Sequence, residues 1–263
     1  MTLFPLKKLP PLAKRGDHWG APISCQRYTR MRANNWLINA LLPTTCILCG
    51  TPGGGIPNLC DACRVDLPWI GDACTRCARS MPANGMCSHC RRHPPAYHGI
   101  QATFAYQPPA SDLIKLGKFH GDLGALSVLG TLMAEKLGHD SGPLPRLLVP
   151  VPLTPQRWRE RGFNQAAELA LKIGRVLGIP TDLGLCSRVR HAVPQLALKG
   201  VAARRRNVRG AFAVKTSVRI PDDIALVDDV LTTGATAEAA TRVLRRAGAK
   251  QVRLWVCART MSD

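Results

Sequence analysis

The run Ile224-Ala225-Leu226-Val227-Asp228-Asp229-Val230-Leu231-Thr232-Thr233-Gly234-Ala235-Thr236 constrains the fold of this chain more than any other stretch. Four apolar residues read as a buried parallel strand, two carboxylates close it, and a short Thr/Gly loop leads into residues 237–244, which have helical composition. The first N–H groups of a helix lack intrahelical partners, and its dipole points its positive end outward. A loop of Thr, Gly and Ala therefore lets a phosphate approach those donors. Two adjacent carboxylates would repel that phosphate, but they accept hydrogen bonds from vicinal sugar hydroxyls or face a divalent cation. A ribose 5-phosphate fits this polarity.

An apolar strand, a double acid and Thr-Thr-Gly-x-Thr resemble the signature with which type I phosphoribosyltransferases bind phosphoribosyl pyrophosphate (PRPP). The competing structural reading is a strand that ends in an acidic turn before an ordinary helix cap. Other nucleotide motifs are missing. Gly117-Lys118 is followed by Phe119, and Asp112 stands where a P-loop needs its first glycine; no G-x-G-x-x-G follows a strand.

The 263 residues allow one or two domains with a sizeable core. A net charge of +19 attracts polyanions, whether nucleic acid, an anionic membrane or a polyphosphate substrate, and by itself does not choose among them. No run of 18 apolar residues exists, so no membrane span is expected. Lys7, Lys8, Lys14 and Arg15 are not followed by an apolar segment, so no secretory signal and a cytoplasmic protein are expected.

Eight of the eleven cysteines form C-x-x-C pairs: Cys46 with Cys49, Cys60 with Cys63, Cys74 with Cys77, and Cys87 with Cys90. In a reducing compartment these read as thiolate ligands. Two knuckles complete the tetrahedral Cys₄ shell that Zn²⁺ prefers. Pairing the knuckles in sequence gives two structural zinc ribbons; a cross-braced pairing stays open. Four thiolates leave the metal no free position for chemistry, and so little apolar content makes metal binding and folding one event. Cys25, Cys186 and Cys257 stand apart, the last two as core thiols, and His89, His93 and His98 lack metal-binding partners.

Residues 1–30, rich in Pro, Gly and basic residues, are expected to be a disordered extension, with Met31 as an alternative start of translation. A short apolar helix over 36–42 and the double zinc ribbon fill 31–96, and an α/β domain fills 97–263. There the patterns give a strand over 99–106, a break at Pro108-Pro109 and a basic helix over 112–119. An apolar helix over 123–137, ended by Gly138, and a buried strand over 147–152 follow. An amphipathic helix over 165–177, ended by Gly178 and Pro180, and a last strand over 252–257 complete the series. Such alternation implies a parallel sheet with helices on both faces.

The signature, the strand Val149-Pro150-Val151-Pro152-Leu153, the segment Arg157-x-x-x-Arg161-Gly162-Phe163-Asn164-Gln165, and Gln195 with Arg204-x-x-Asn207-x-x-x-x-Phe212 together resemble the ComF/GntX family, over roughly residues 31–260. Cysteine knuckles ahead of a type I phosphoribosyltransferase-like sheet match it too. The resemblance implies PRPP binding by Asp228, Asp229, Thr232, Thr233, Gly234, Ala235 and Thr236, with Mg²⁺. It implies a pyrophosphate-contacting loop at Leu153, Arg157 and Arg161, whose other reading is a solvated helix face. It also implies a mobile flap carrying Arg188, Arg190, Gln195, Arg204 and Asn207. Nine Lys/Arg and no acid between Asp182 and Asp222 suit a flap that closes over a polyphosphate.

No base-recognition element is visible, so the acceptor is unidentified. Three functions follow: a phosphoribosyltransferase; a DNA-handling protein of competence or external-DNA use, holding single strands and working with DNA-uptake proteins; or a PRPP sensor without chemistry. Trp36, Trp69, Tyr97 and Trp158 are the candidates for base stacking.

Overall fold

The two longest strands among the described residues lie side by side. In the computed structural model, β5 (Asp223–Leu231) and β6 (Gln251–Arg259) form the middle of a four-stranded, wholly parallel sheet. β1 (Gly99–Ala105) pairs with β6 on one side and β2 (Leu147–Pro150) with β5 on the other, giving the order β1-β6-β5-β2. The structure describes residues 45–52, 58–140, 142–189, 210–215 and 219–260. The expected extension over 1–30, the helix over 36–42, Cys25 and Trp36 lie outside them. Pro43–Asp263 form one compact unit.

Both faces of the sheet are covered, as its unbroken apolar strands require. On one face, α3 (Ala110–Phe119), α4 (Leu123–Asp140) and α6 (Gln165–Leu177) bury Phe104, Leu148, Ala225, Val227 and Trp255. On the other, α7 (Ala235–Arg246) and a two-stranded antiparallel ribbon of β3 (Cys186–Arg188) and β4 (Phe212–Val214) cover Val149, Ile224, Leu226, Leu254 and Val256. Period-two alternation along β5 sends Ala225 and Val227 to the first face, Ile224 and Leu226 to the second.

β2 ends at Pro150 rather than 152, the last strand runs over Gln251–Arg259 rather than 252–257, and the basic helix starts at Ala110; two further boundaries differ because of packing. α4 continues through Gly138 to Asp140. A Cβ on Gly138 would lie 3.3 Å from Leu177 Cδ2, so the glycine marks a close approach to α6 rather than a stop. β5 continues through the two acids to Leu231, because its partner β6 runs on to Arg259 and supplies backbone pairing where side-chain propensity does not.

The cysteine knuckles pair in sequence. Cys46, Cys49, Cys60 and Cys63 gather in one cluster, Cys74, Cys77, Cys87 and Cys90 in another, each with its sulfurs within 4.8 Å of one another. In each, a one-turn helix, α1 (Asp61–Val65) or α2 (Ser88–Arg92), starts on a cysteine whose sulfur accepts the N–H three residues on. The chain between the clusters runs antiparallel along the outer edge of β1. The Ile70 N–H meets the Thr103 carbonyl, the Ala105 N–H meets the Pro68 carbonyl, and Trp69 packs 4.7 Å from Phe104. The ribbons thus cover an edge that would otherwise present unpaired backbone groups.

Candidate functional site

The helices that follow β2 and β5 leave on opposite faces: α6 packs with α3 and α4, while α7 packs on the other side. Two adjacent parallel strands whose connections diverge leave a crevice beyond their carboxyl ends, where open α/β sheets bind ligands. The segment after β2 carries Leu153, Arg157 and Arg161. That after β5 carries Asp228 through Thr236. Both segments therefore leave the carboxyl ends of two adjacent parallel strands.

On the β5 side, Asp228 Oδ1 accepts the Asp229 N–H at 2.9 Å and Asp229 Oδ1 accepts the Val230 N–H at 2.7 Å, fixing both carboxylates at the strand end. Burial, and then the charge of Asp229, push the Asp228 carboxyl well above the usual carboxylate range. Thr232 is exposed, and Thr233, Gly234 and Thr236 are half-buried around the turn, with Ala235 beneath. Gly234, the N-cap of α7, takes a left-handed φ of 78° and has no side chain with which to cap the helix.

On the β2 side, the expected loop is a short helix, α5 (Pro155–Arg161). Thr154 Oγ1 caps it by accepting the Arg157 N–H at 3.1 Å, and Gly162 at φ 75° ends it. Asn164 holds the next turn: Nδ2 donates to the Val151 carbonyl at 3.0 Å and Oδ1 accepts the Ala166 N–H at 3.1 Å, which starts α6. Arg157 and Arg161 are half-buried, so they are not a fully solvated helix face. Burial and the neighbouring charge of Arg157 hold Arg161 below the usual arginine range; Arg188, in β3, is lowered by the same two causes. Arg188 stacks 5.3 Å over Phe212. Arg190, Gln195, Arg204 and Asn207 lie outside the described residues.

One residue of this crevice was not read from the sequence. Lys118, in the last turn of α3, places Nζ 2.8 Å from Asp229 Oδ2, with both side chains largely buried. The next residue, Phe119, is exposed and carries the Arg161 guanidinium 5.7 Å above its ring. In the sequence Lys118 belongs to the basic helix over 112–119 and to a Gly-Lys pair that fails the P-loop pattern.

The two Cys₄ clusters fit a tetrahedral metal on the chemistry of their donors. In the first, burial alone would raise Cys46, yet N–H groups of Cys60, Cys49 and Leu48 bring it down to about 6. Cys63 is pushed far up by the Cys60 and Cys49 thiols beside it. The second repeats this, with Cys74 brought to about 6 and Cys90 driven up. Four sulfurs this close all ionise only around a cation, and Zn²⁺ would hold them as a structural tie with no open coordination position. Cys186 and Cys257 are buried core thiols that burial raises. His89 and His93 are exposed, whereas His98 does have a partner, its Nδ1 accepting the Val252 N–H at 3.2 Å. Tyr97 is buried and Trp69 packs on Phe104, so of the expected stacking residues Trp158 is the described one that is exposed.

A double zinc ribbon domain model matches residues 37–91. The chain is 31% identical over 228 residues to the DNA utilization protein YhgH of Salmonella typhi, covering 78% of this chain and 99% of that one. It is 31% identical over 212 residues to competence protein F of Haemophilus influenzae, covering 77% and 90%. Among solved structures, a purine phosphoribosyltransferase from Pyrococcus horikoshii matches at a TM-score of 0.32 and 15% identity, over 53% of this chain and 85% of that one. A parallel sheet with a double acid and a Thr/Gly turn at its switch point, its edge covered by two Cys₄ clusters, defines an α/β protein with a double zinc ribbon. Within that class, the chain belongs to the ComF/GntX family.

Proposed function

We propose that this protein binds PRPP with Mg²⁺ at the crevice between β2 and β5 and transfers the phosphoribosyl group to an acceptor, in the service of DNA uptake or use. The observation that carries this reading is the meeting of opposite chemistries there. Two carboxylates and the Thr/Gly turn that starts α7 lie on the β5 side, and Arg157 and Arg161 on α5.

In this reading Thr232, Thr233, Gly234, Ala235 and Thr236 donate to the 5-phosphate, while Asp228 and Asp229 accept from the ribose hydroxyls. Burial and the charge of Asp229 push the Asp228 carboxyl up, and arriving cationic charge favours its carboxylate form. Mg²⁺ would supply such charge and neutralise the leaving pyrophosphate. Leu153 lines the segment leading to Arg157 and Arg161, and their forked donors stabilise the charge that collects as the C1 bond breaks. Lys118 adds a third cation. Arg188, with Arg190, Gln195, Arg204 and Asn207, belongs to a flap that would close over the bound sugar and exclude water. The ribbons over 31–96 and the transferase-like part over 97–263 then act as one cytoplasmic protein, with the ribbons as scaffold.

Incubating the zinc-loaded protein with PRPP, Mg²⁺ and a panel of nucleobases and oligonucleotides tests turnover. Pyrophosphate release together with an acceptor heavier by one phosphoribosyl group is expected. PRPP binding without release across the panel would point instead to a sensor of PRPP.

The names of the relatives favour a second role, binding single-stranded DNA, and the exposed Phe119 and Trp158 beside Arg157 and Arg161 suit base stacking and phosphate contact. Affinity for a single strand is then expected to fall with salt by a slope of about 0.7 per phosphate contacted. Saturating Mg²⁺·PRPP should displace the strand if both use these arginines; unchanged DNA affinity would move the contact elsewhere.

A further inference from the structure

Arg259 ends β6 and is 9% exposed. A guanidinium removed from water needs acceptors for its donors, and these come from two distant parts of the chain. Nε donates to the Cys77 carbonyl at 3.0 Å. Nη1 lies 3.1 Å from the Leu231 carbonyl, 2.6 Å from that of Thr232 and 2.8 Å from that of Thr260, with Thr260 Oγ1 at 3.2 Å. Thr260 reinforces the link, since its N–H and hydroxyl both donate to the Leu231 carbonyl, at 3.0 and 3.3 Å.

Cys77 is a ligand of the second cluster. Leu231 and Thr232 are where β5 runs out into the turn that leads to Gly234 and α7. One buried side chain thus joins a metal knuckle to the mouth of the crevice. Tyr97 flanks the same junction: a Cβ on Gly234 would lie 3.8 Å from its hydroxyl. Four thiolates around a divalent metal carry a net charge of about −2, which a neighbouring guanidinium offsets. The first cluster is placed differently. It packs with the α3 and α4 face, where Arg64 pairs with Glu135 at 2.6 Å, away from the turn.

We infer that Arg259 is a positioning residue through which the second metal site sets the Leu231–Gly234 turn, so that the turn is ordered only while Cys74, Cys77, Cys87 and Cys90 hold their metal. The ordering stands on the hydrogen bonds alone; its consequence for PRPP affinity rests on the turn being a phosphate cradle.

Hydrogen exchange of the zinc-loaded full chain, read at Thr260 and Glu238, whose N–H groups donate to the Leu231 and Gly234 carbonyls of the turn, with the β5–β6 core as folding control, tests this. Arg259→Lys keeps a cation beside the thiolates but loses the fork. It is expected to retain both zinc ions and speed exchange in the turn by about tenfold or more. Cys87→Ser, which keeps Arg259, is expected to speed the same amides, while Cys49→Ser in the first cluster leaves them as they were. A packing role alone would lower zinc content and turn protection together in Arg259→Lys. Unchanged turn exchange in Arg259→Lys, or equal effects of Cys49→Ser and Cys87→Ser, would overturn the inference. Should Arg259→Lys not fold, the two cysteine variants decide it. If Mg²⁺·PRPP fails to bind even the native protein, the proposed function falls, whereas the exchange comparison still stands or fails by itself.

Discussion

Asp228 and Asp229 are neighbours in sequence but have different partners: Asp229 Oδ2 pairs with Lys118 Nζ on α3 at 2.8 Å, while Asp228 Oδ1 accepts the Asp229 N–H at 2.9 Å. Asp228 is raised from 3.8 to about 8 by burial and by the charge of Asp229, with Lys118 pulling it back. A carboxyl whose folded pKa exceeds its unfolded value binds more protons when folded, so its contribution to stability is lost as pH rises from about 4 to about 8. Asp228→Asn is therefore expected to flatten the fall in thermal midpoint between about pH 5 and pH 9 and to raise the midpoint at the alkaline end. Lys118→Met, by removing a lowering charge, is expected to move the native inflection to higher pH. An unchanged profile in Asp228→Asn would assign the slope to other groups. The acids and the turn were legible in the sequence because strand, loop and helix are contiguous there. Lys118 and Arg259 were not, because each reaches the site from another element and belongs to no local motif.

At the level of elements, the sheet and its helices were legible wherever hydrophobic period decided them: α6 runs over Gln165–Leu177 with its αL cap at Gly178, as the pattern implied. The misses lie where tertiary packing outweighs propensity. Gly138 reads as a helix stop, yet it lies inside α4 because it faces Leu177 on α6. The family resemblance implies a loop after β2, with a solvated helix face as the other reading. The seven residues Pro155–Arg161 make a capped helix in which Arg157 and Arg161 are half-buried. Gly174 gives the sharpest test of such packing. A Cβ there would lie 2.6 Å from the Ile179 carbonyl oxygen, which belongs to backbone and has little room to move. Gly174→Ala is expected to cost about 1–3 kcal/mol, read as a lower urea midpoint with unchanged slope. A midpoint equal to the native one would mean that the α6–β2 junction yields.

For the molecule as a whole, the ribbons are part of the sheet's construction, since their backbone pairs with β1 and each contributes to one face of the core. Knuckle spacing made the ligands legible, but not this docking, which depends on pairing between segments far apart in sequence. Anaerobically purified protein is expected to hold two zinc ions, and strong chelation is expected to expose the β1 edge and produce aggregation detectable by light scattering. Absence of zinc, or full solubility after its removal, would contradict that. The central claim, PRPP at the acidic strand end, is tested most directly by titration calorimetry of Mg²⁺·PRPP into native protein and the folded Asp228→Asn/Asp229→Asn variant. A loss of about 2 kcal/mol or more is expected, since hydrogen bonds to charged acceptors contribute about 1.5–3 kcal/mol each. Equal affinity in the two proteins would contradict the account and leave the carboxylates a structural role.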